Sequence, residues 1–199
     1  MLNKTKKNRK KINLNIDPRN KVYTSLLLIL SAILGRTVFH FGDNIEIVTA
    51  VTLLSGSYLG IFWAIMIPLV SMAISDLMIG NTIIFIFTWS AYFLIGLISF
   101  FVLKRNKNNN NQIARATLTG MFSAVFFYLW TNFGVWALDG HEMYSNSLSG
   151  LIDSYIMGLP FLKANIIGNM IFVPLVFYIF RVCLLTQLKL SSKEKFSQL

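Results

Sequence analysis

Charge is what this chain has least of. Only 13% of its 199 residues are Asp, Glu, Lys or Arg, against roughly a quarter in soluble domains. So few charges cannot clothe a water-exposed surface of this size. There is one cysteine, Cys183, and there are two histidines. That excludes a disulfide within the chain and leaves no Cys pair, and no His pair at helical spacing, for a metal. The sequence has no G-x-S-x-G, no H-E-x-x-H and no phosphate-binding loop, the short motifs that carry hydrolytic or nucleotide chemistry. No two acids sit deep in one apolar segment. Nothing here points to an enzyme, and no cofactor is implied.

Acids are scarcer than bases, 8 against 18, for a net charge of +10. A basic chain raises the question of nucleic acid. Here the cations stand in short flanks beside apolar blocks, where anionic headgroups attract them. The bilayer, not nucleic acid, is the expected partner.

What is abundant is grease. Hydrophobic residues make up 55% of the chain, and they fall in long blocks at 22–40, 45–79, 82–103, 114–138 and 162–185. A bilayer core needs about 20 apolar residues per helical crossing. The block 45–79 is too long for one. As a single helix it would run about 50 Å, well beyond a hydrocarbon core of about 30 Å. SGSYLG at 55–60 supplies small turn-forming residues in its middle, so a short span over 45–59 followed by a second is expected.

Basic residues collect on the cytoplasmic side of membrane proteins. With six spans, 16 of the 18 Lys and Arg fall on one side: eight in 1–21, four in 104–115 and four from Arg181 onward. Only Arg36 and Lys163 fall on the other. With five spans the split would be nine and nine. The sequence therefore predicts an all-α integral membrane protein with six transmembrane helices and both termini inside. Its parts are a basic cytoplasmic tail (1–21), a transmembrane domain (22–185) and a C-terminal tail (186–199). The Asn run at 108–111 reads as a cytoplasmic linker. The stretch 139–162 is the longest outer loop, and a short surface helix within it, stopped by Pro160, is expected.

The polar residues of the spans cluster by depth. Trp89, Trp130, Asn132, Trp136, Asn165 and Asn169 all fall in the outer parts of spans four to six. Asp76 and Asn81 bound the loop after span three, and Arg36 and His40 end span one. An unpaired amide in hydrocarbon costs several kcal/mol, so such groups face the bundle interior or a wet cavity. Asn132 and Trp136 share a helix face, as do Asn165 and Asn169. One outward-open cavity, with aromatic faces, amides and Asp76 at its rim, would suit a small, flat, polar organic molecule. The same residues have plainer uses. Tryptophans anchor spans at the interface, and amides tie helices together. Small residues spaced four apart, such as Ser31 and Gly35 or Ala116, Gly120 and Ala124, let helices approach closely.

GRTVFHFG (35–42), LLSGSYLGIFWAIMIPLVSMAISDLMIG (53–80), TNFGVWA (131–137) and GLIDSYIMGLPFLKANIIGNMIF (150–172) resemble a group of six-helix bacterial membrane proteins. These in turn are similar to the substrate-binding S components of energy-coupling factor (ECF) vitamin transporters. The resemblance implies a multi-pass protein of the bacterial plasma membrane that captures a vitamin-like small molecule outside. It also implies a membrane coupling subunit and two cytosolic ATPases as partners, docked through a small-x-x-x-small pattern on the first span. Ser31 and Gly35 stand in that place here. The alternative is a membrane scaffold of an envelope assembly, whose outer polar layer only joins helices. A weaker option is a membrane enzyme acting through Asp76, or through His40 and His141.

Overall fold

Asp17 and Pro18 begin the first helix. The Asp17 carboxylate accepts the backbone N–H of Arg19 at 3.1 Å, and Pro18 occupies the first turn, where its missing N–H costs nothing. The structure is a computed structural model and describes residues 16–39, 45, 47–80, 83–104, 111–139 and 142–197, with side chains as far as 187. His40, Asn81, His141 and the linker residues 108–110 lie outside the described residues.

Six helices follow one another: α1 (Pro18–Thr37), α2 (Val48–Tyr58), α3 (Ile61–Ile79), α4 (Phe85–Leu103), α5 (Gln112–Leu138) and α6 (Leu148–Ser197). Among the described residues there is no strand. Four helices, α3 to α6, are long and apolar enough to cross a membrane. α1 has 20 residues but carries polar and charged groups at both ends.

The break inside the long apolar block is where the sequence places it, but it is narrower than SGSYLG. Ser55, Gly56 and Ser57 belong to α2, and the chain turns at Leu59 and Gly60. Gly60 has φ +111°, a conformation that side chains resist. Gly56 does different work. A Cβ there would collide with Ser99 and the Phe100 backbone of α4, so this glycine sets a close helix crossing. Gly96 does the same between α4 and the Ala64 carbonyl of α3.

α2 is the pillar of the bundle. All 11 of its residues are buried, and it packs against each of the other five helices. At about 16 Å it is half as long as a hydrocarbon core is thick. Two of its hydroxyls are satisfied locally: Thr52 and Ser55 donate to the carbonyls four residues back. Ser71, Thr117, Thr119 and Ser123 do likewise in α3 and α5. This is how hydroxyls are kept in an apolar setting. The outside is apolar too, with Leu77, Phe122 and Tyr178 among many large exposed side chains.

The stretch 139–162 departs from expectation. No separate surface helix ends at Pro160. α6 begins at Leu148 and runs through Pro160 and Pro174 to Ser197. The physical reason is packing on both sides of the proline. Before it, the Tyr128 hydroxyl of α5 donates to the Tyr155 carbonyl at 2.6 Å, and Gly158 lies directly against the Asn132 side chain. After it, Asn169 bonds α5 again. These contacts hold the helix on course where the proline alone would end it. At the far end the helix also continues beyond 185 into the segment expected as a tail.

Candidate functional site

The ends of α1, α3 and α5 and the beginnings of α4 and α6 meet at one end of the bundle, here called the acid end after Asp76, Asp139 and Asp153. Asp76, Trp89, Trp130, Asn132 and Trp136 lie toward it. Asn165 lies deeper along α6, and Asn169, expected in the outer layer, bonds Gly120 in the first third of α5 and so lies nearer the opposite end. The seven fall in three groups.

The first group is an ion pair. Asp76, near the end of α3, is 8% exposed and receives Arg36 Nη1 of α1 on Oδ1 at 2.9 Å. Trp89 of α4 donates its indole N–H to Oδ2 at 2.7 Å. Arg36 Nη1 also reaches Ser75 Oγ at 2.8 Å and Met72 Sδ. A buried carboxylate needs such partners. Asp76 is therefore the centre of a three-helix junction.

The second group is aromatic. Phe87, Trp130, Phe133 and Trp136 form a row between α4 and α5, with ring centroids 5.3 to 6.2 Å apart. Phe87 can enter the row because residue 134 is glycine; a Cβ there would strike its ring. Trp130 donates to Ser90 Oγ at 2.9 Å, and Trp136 donates to the Ser145 carbonyl at 3.1 Å. The indole of Trp136 thereby fastens the α5–α6 connection to α5. Asp139 tightens the same connection, accepting the backbone N–H groups of Met143 and Tyr144 at 2.7 and 2.6 Å.

The third group encloses space. A cavity of about 160 Å³ lies between α5 and α6, lined among others by Phe127, Tyr128, Thr131, Asn132, Phe161 and Asn165. Asn132 donates Nδ2 to the Tyr128 carbonyl at 2.8 Å, which leaves Oδ1 as an acceptor. Asn165 accepts Asn169 Nδ2 on its Oδ1 at 2.8 Å, so its own N–H groups remain as donors. Asn169 lies below, 1% exposed, and also donates to the Gly120 carbonyl at 3.0 Å.

Of the seven candidates, the cavity brings together Asn132 and Asn165 alone. Trp89, Trp130, Trp136, Asp76 and Asn169 bond within or between helices around it. Sequence reasoning missed Tyr128, Thr131, Phe127 and Phe161. One signal could have found the first three: 127, 128, 131, 132 and 135 repeat at helical spacing through Asn132. It also missed Gln112, 2% exposed, which takes the Tyr58 hydroxyl at 2.8 Å and donates to Ser57 Oγ at 2.7 Å. That amide closes the opposite end of α2. Among the described residues no cluster of His, Cys, Asp and Glu could hold a metal.

The bundle, with its apolar exterior, inward hydroxyls and buried ion pair, defines a helical membrane protein. The chain belongs to the family of unknown function DUF6580, whose profile matches residues 16–192. No curated protein and no solved structure matches it.

Proposed function

We propose that this protein is a membrane-embedded capture subunit for a small polar organic molecule, and that the α5–α6 cavity at the acid end is its binding site. The observation that carries the reading is the chemistry of that cavity. The side-chain amides of Asn132 and Asn165 line a space walled by Phe127, Tyr128 and Phe161. Aromatic walls with a few convergent polar groups are the usual make-up of a small-molecule site.

At about 160 Å³ the cavity is smaller than the 300–1,000 Å³ or so of sites that take drug-sized ligands. A vitamin-sized guest requires the α5–α6 connection to move. Trp136 on Ser145 and Asp139 on Met143 and Tyr144 are the bonds that would release it. In this reading the protein makes six crossings of the bacterial plasma membrane with both termini inside. α2 is then a short crossing recessed within the bundle, and the acid end faces out. On the sequence resemblance to ECF S components alone, the proposal extends to a vitamin-like substrate and to a coupling subunit with ATPases as the energy source.

Native mass spectrometry of protein extracted with its bound solute tests the proposal. A retained metabolite, lost in Asn132→Ala and Asn165→Ala variants that keep their fold, is the expected result. An empty protein across a vitamin panel would overturn it.

One observation favours a second reading. Trp89, Trp130 and Asp76 bond between helices, and Trp136 bonds the α5–α6 connection, as in a scaffold whose polar layer joins helices. Stable crosslinks to envelope proteins without any bound metabolite would favour that reading.

A further inference from the structure

α1 and α6 stand side by side without packing closely together. Between them lies a cleft of about 460 Å³, floored by Leu54 of α2 and open to the side past Tyr23 and Leu27, each 67% exposed. It is far from the α5–α6 cavity and runs toward the other end of the bundle. Its lining changes along its length. Asn20, Thr24 and Gln187 lie at one end; Leu28, Leu54 and Val176 lie deeper. Ser31, at the inner limit, has already donated its hydroxyl to the Leu28 carbonyl at 2.9 Å. A second, almost wholly apolar cavity of about 380 Å³ continues past Ser31 toward Phe39.

Three magnitudes decide what fits. From Asn20 to Ser31 the cleft follows α1 for about 16 Å, the hydrocarbon depth of one leaflet. The cleft holds about 460 Å³ along that length and is open to one side, room for a slender hydrocarbon chain lying against α1. The charge at the polar end is one-sided. Arg19 and Lys21 flank Asn20, and Lys4, Lys6, Lys7, Arg9, Lys10 and Lys11 precede them in the sequence. Asp17, the acid beside them in the sequence, accepts the Arg19 backbone N–H. Clustered cations beside a membrane segment attract anionic headgroups.

We propose that this cleft binds an anionic phospholipid. One acyl chain lies between α1 and α6, and the headgroup phosphate meets Asn20, Gln187, Arg19 and Lys21. The site is independent of the small-molecule cavity and does not rest on which way the bundle faces.

The full chain in nanodiscs of equal phosphatidylglycerol and phosphatidylcholine provides the test. Native mass spectrometry after release should show one retained phosphatidylglycerol, enriched at least tenfold over phosphatidylcholine. Leu27→Trp fills the open side of the cleft from an exposed position. It should abolish retention while thermal unfolding in detergent stays unchanged. Arg19→Gln with Lys21→Gln should lower the enrichment several-fold. Cys183, which lines the cleft and is the chain's one cysteine, can carry a benzophenone, and illumination should yield a phosphatidylglycerol adduct. Retained lipid that mirrors the bulk mixture would overturn the proposal. So would retention undiminished in Leu27→Trp, or an adduct with a second copy of the chain or another polypeptide.

Discussion

Trp89 and Asp76 meet through a hydrogen bond of 2.7 Å from the indole nitrogen to Oδ2, while Arg36 holds the other carboxylate oxygen at 2.9 Å. Three helices end or begin at this point, so one carboxylate joins α1, α3 and α4. Removing a single member leaves the others buried without their partner. Asp76→Asn should cost about 3–5 kcal/mol, the usual penalty for breaking a buried ion pair. The double change Arg36→Met with Asp76→Leu should cost less than the sum of the two single changes. Thermal unfolding in detergent, followed by circular dichroism, measures both. Equal, additive losses would show that the pair is solvated in the folded protein.

The two amides of α6 should differ in binding more than in stability. Asn169 bonds Gly120 of α5 and Asn165 of its own helix. Asn169→Ala should therefore destabilise by about 1–3 kcal/mol, the range for a buried hydrogen-bonding group removed. Asn165 faces the cavity. Asn165→Ala leaves one buried Asn169 N–H without its acceptor, so it should also destabilise by about 1–3 kcal/mol, but unlike Asn169→Ala it should weaken capture of the solute by tenfold or more. Unfolding curves and equilibrium binding on the two variants distinguish these roles.

Two glycines should respond to alanine for different reasons. At Gly96 a Cβ would collide with the Ala64 carbonyl, so Gly96→Ala forces α3 and α4 apart, at a cost of about 1–3 kcal/mol. At Gly60 nothing lies within 4 Å, but φ is +111°, so the cost of Gly60→Ala is backbone strain of about 1–3 kcal/mol. D-Alanine, introduced by peptide ligation, should rescue position 60 and not position 96. Comparing unfolding temperatures of the L and D forms at each site checks this.

The six-crossing arrangement makes a prediction about sidedness. In a Cys183→Ser background, Asn146→Cys should react with a membrane-impermeant maleimide on intact cells, and Asn108→Cys only after lysis. The opposite pattern would reverse the bundle. Labelling of both from outside would mean that α5, which lies between them, does not cross.

Much of the architecture was readable from the chain. The break at Gly60 follows from apolar length and turn residues. The places of Trp89 and Asn132 near one end of α4 and α5 follow from counting along each block, whereas Asn165 lies deeper than that count gives, because α6 begins at Leu148. Depth is one coordinate, however, and the direction a side chain faces is another. Asn132 and Trp136 share a helix face, yet Asn132 borders a cavity and Trp136 bonds a loop carbonyl, because the α5–α6 connection folds back over the last turn of α5.

Composition and spacing by themselves determined that this is a helical membrane chain, where its apolar segments divide and which end carries the cations. Those properties are sums over many residues, and no single contact can change them. Only the tertiary structure decided that an 11-residue segment becomes the central pillar. It alone decided that α6 continues through Pro160, that Asp76 is occupied by Arg36 and Trp89, and that a cleft separates α1 from α6. Each of these depends on which helix stands beside which, and hydrocarbon gives no hydrophobic gradient to select neighbours. Close packing at Gly56 and Gly96, together with a few buried polar bonds, makes that selection.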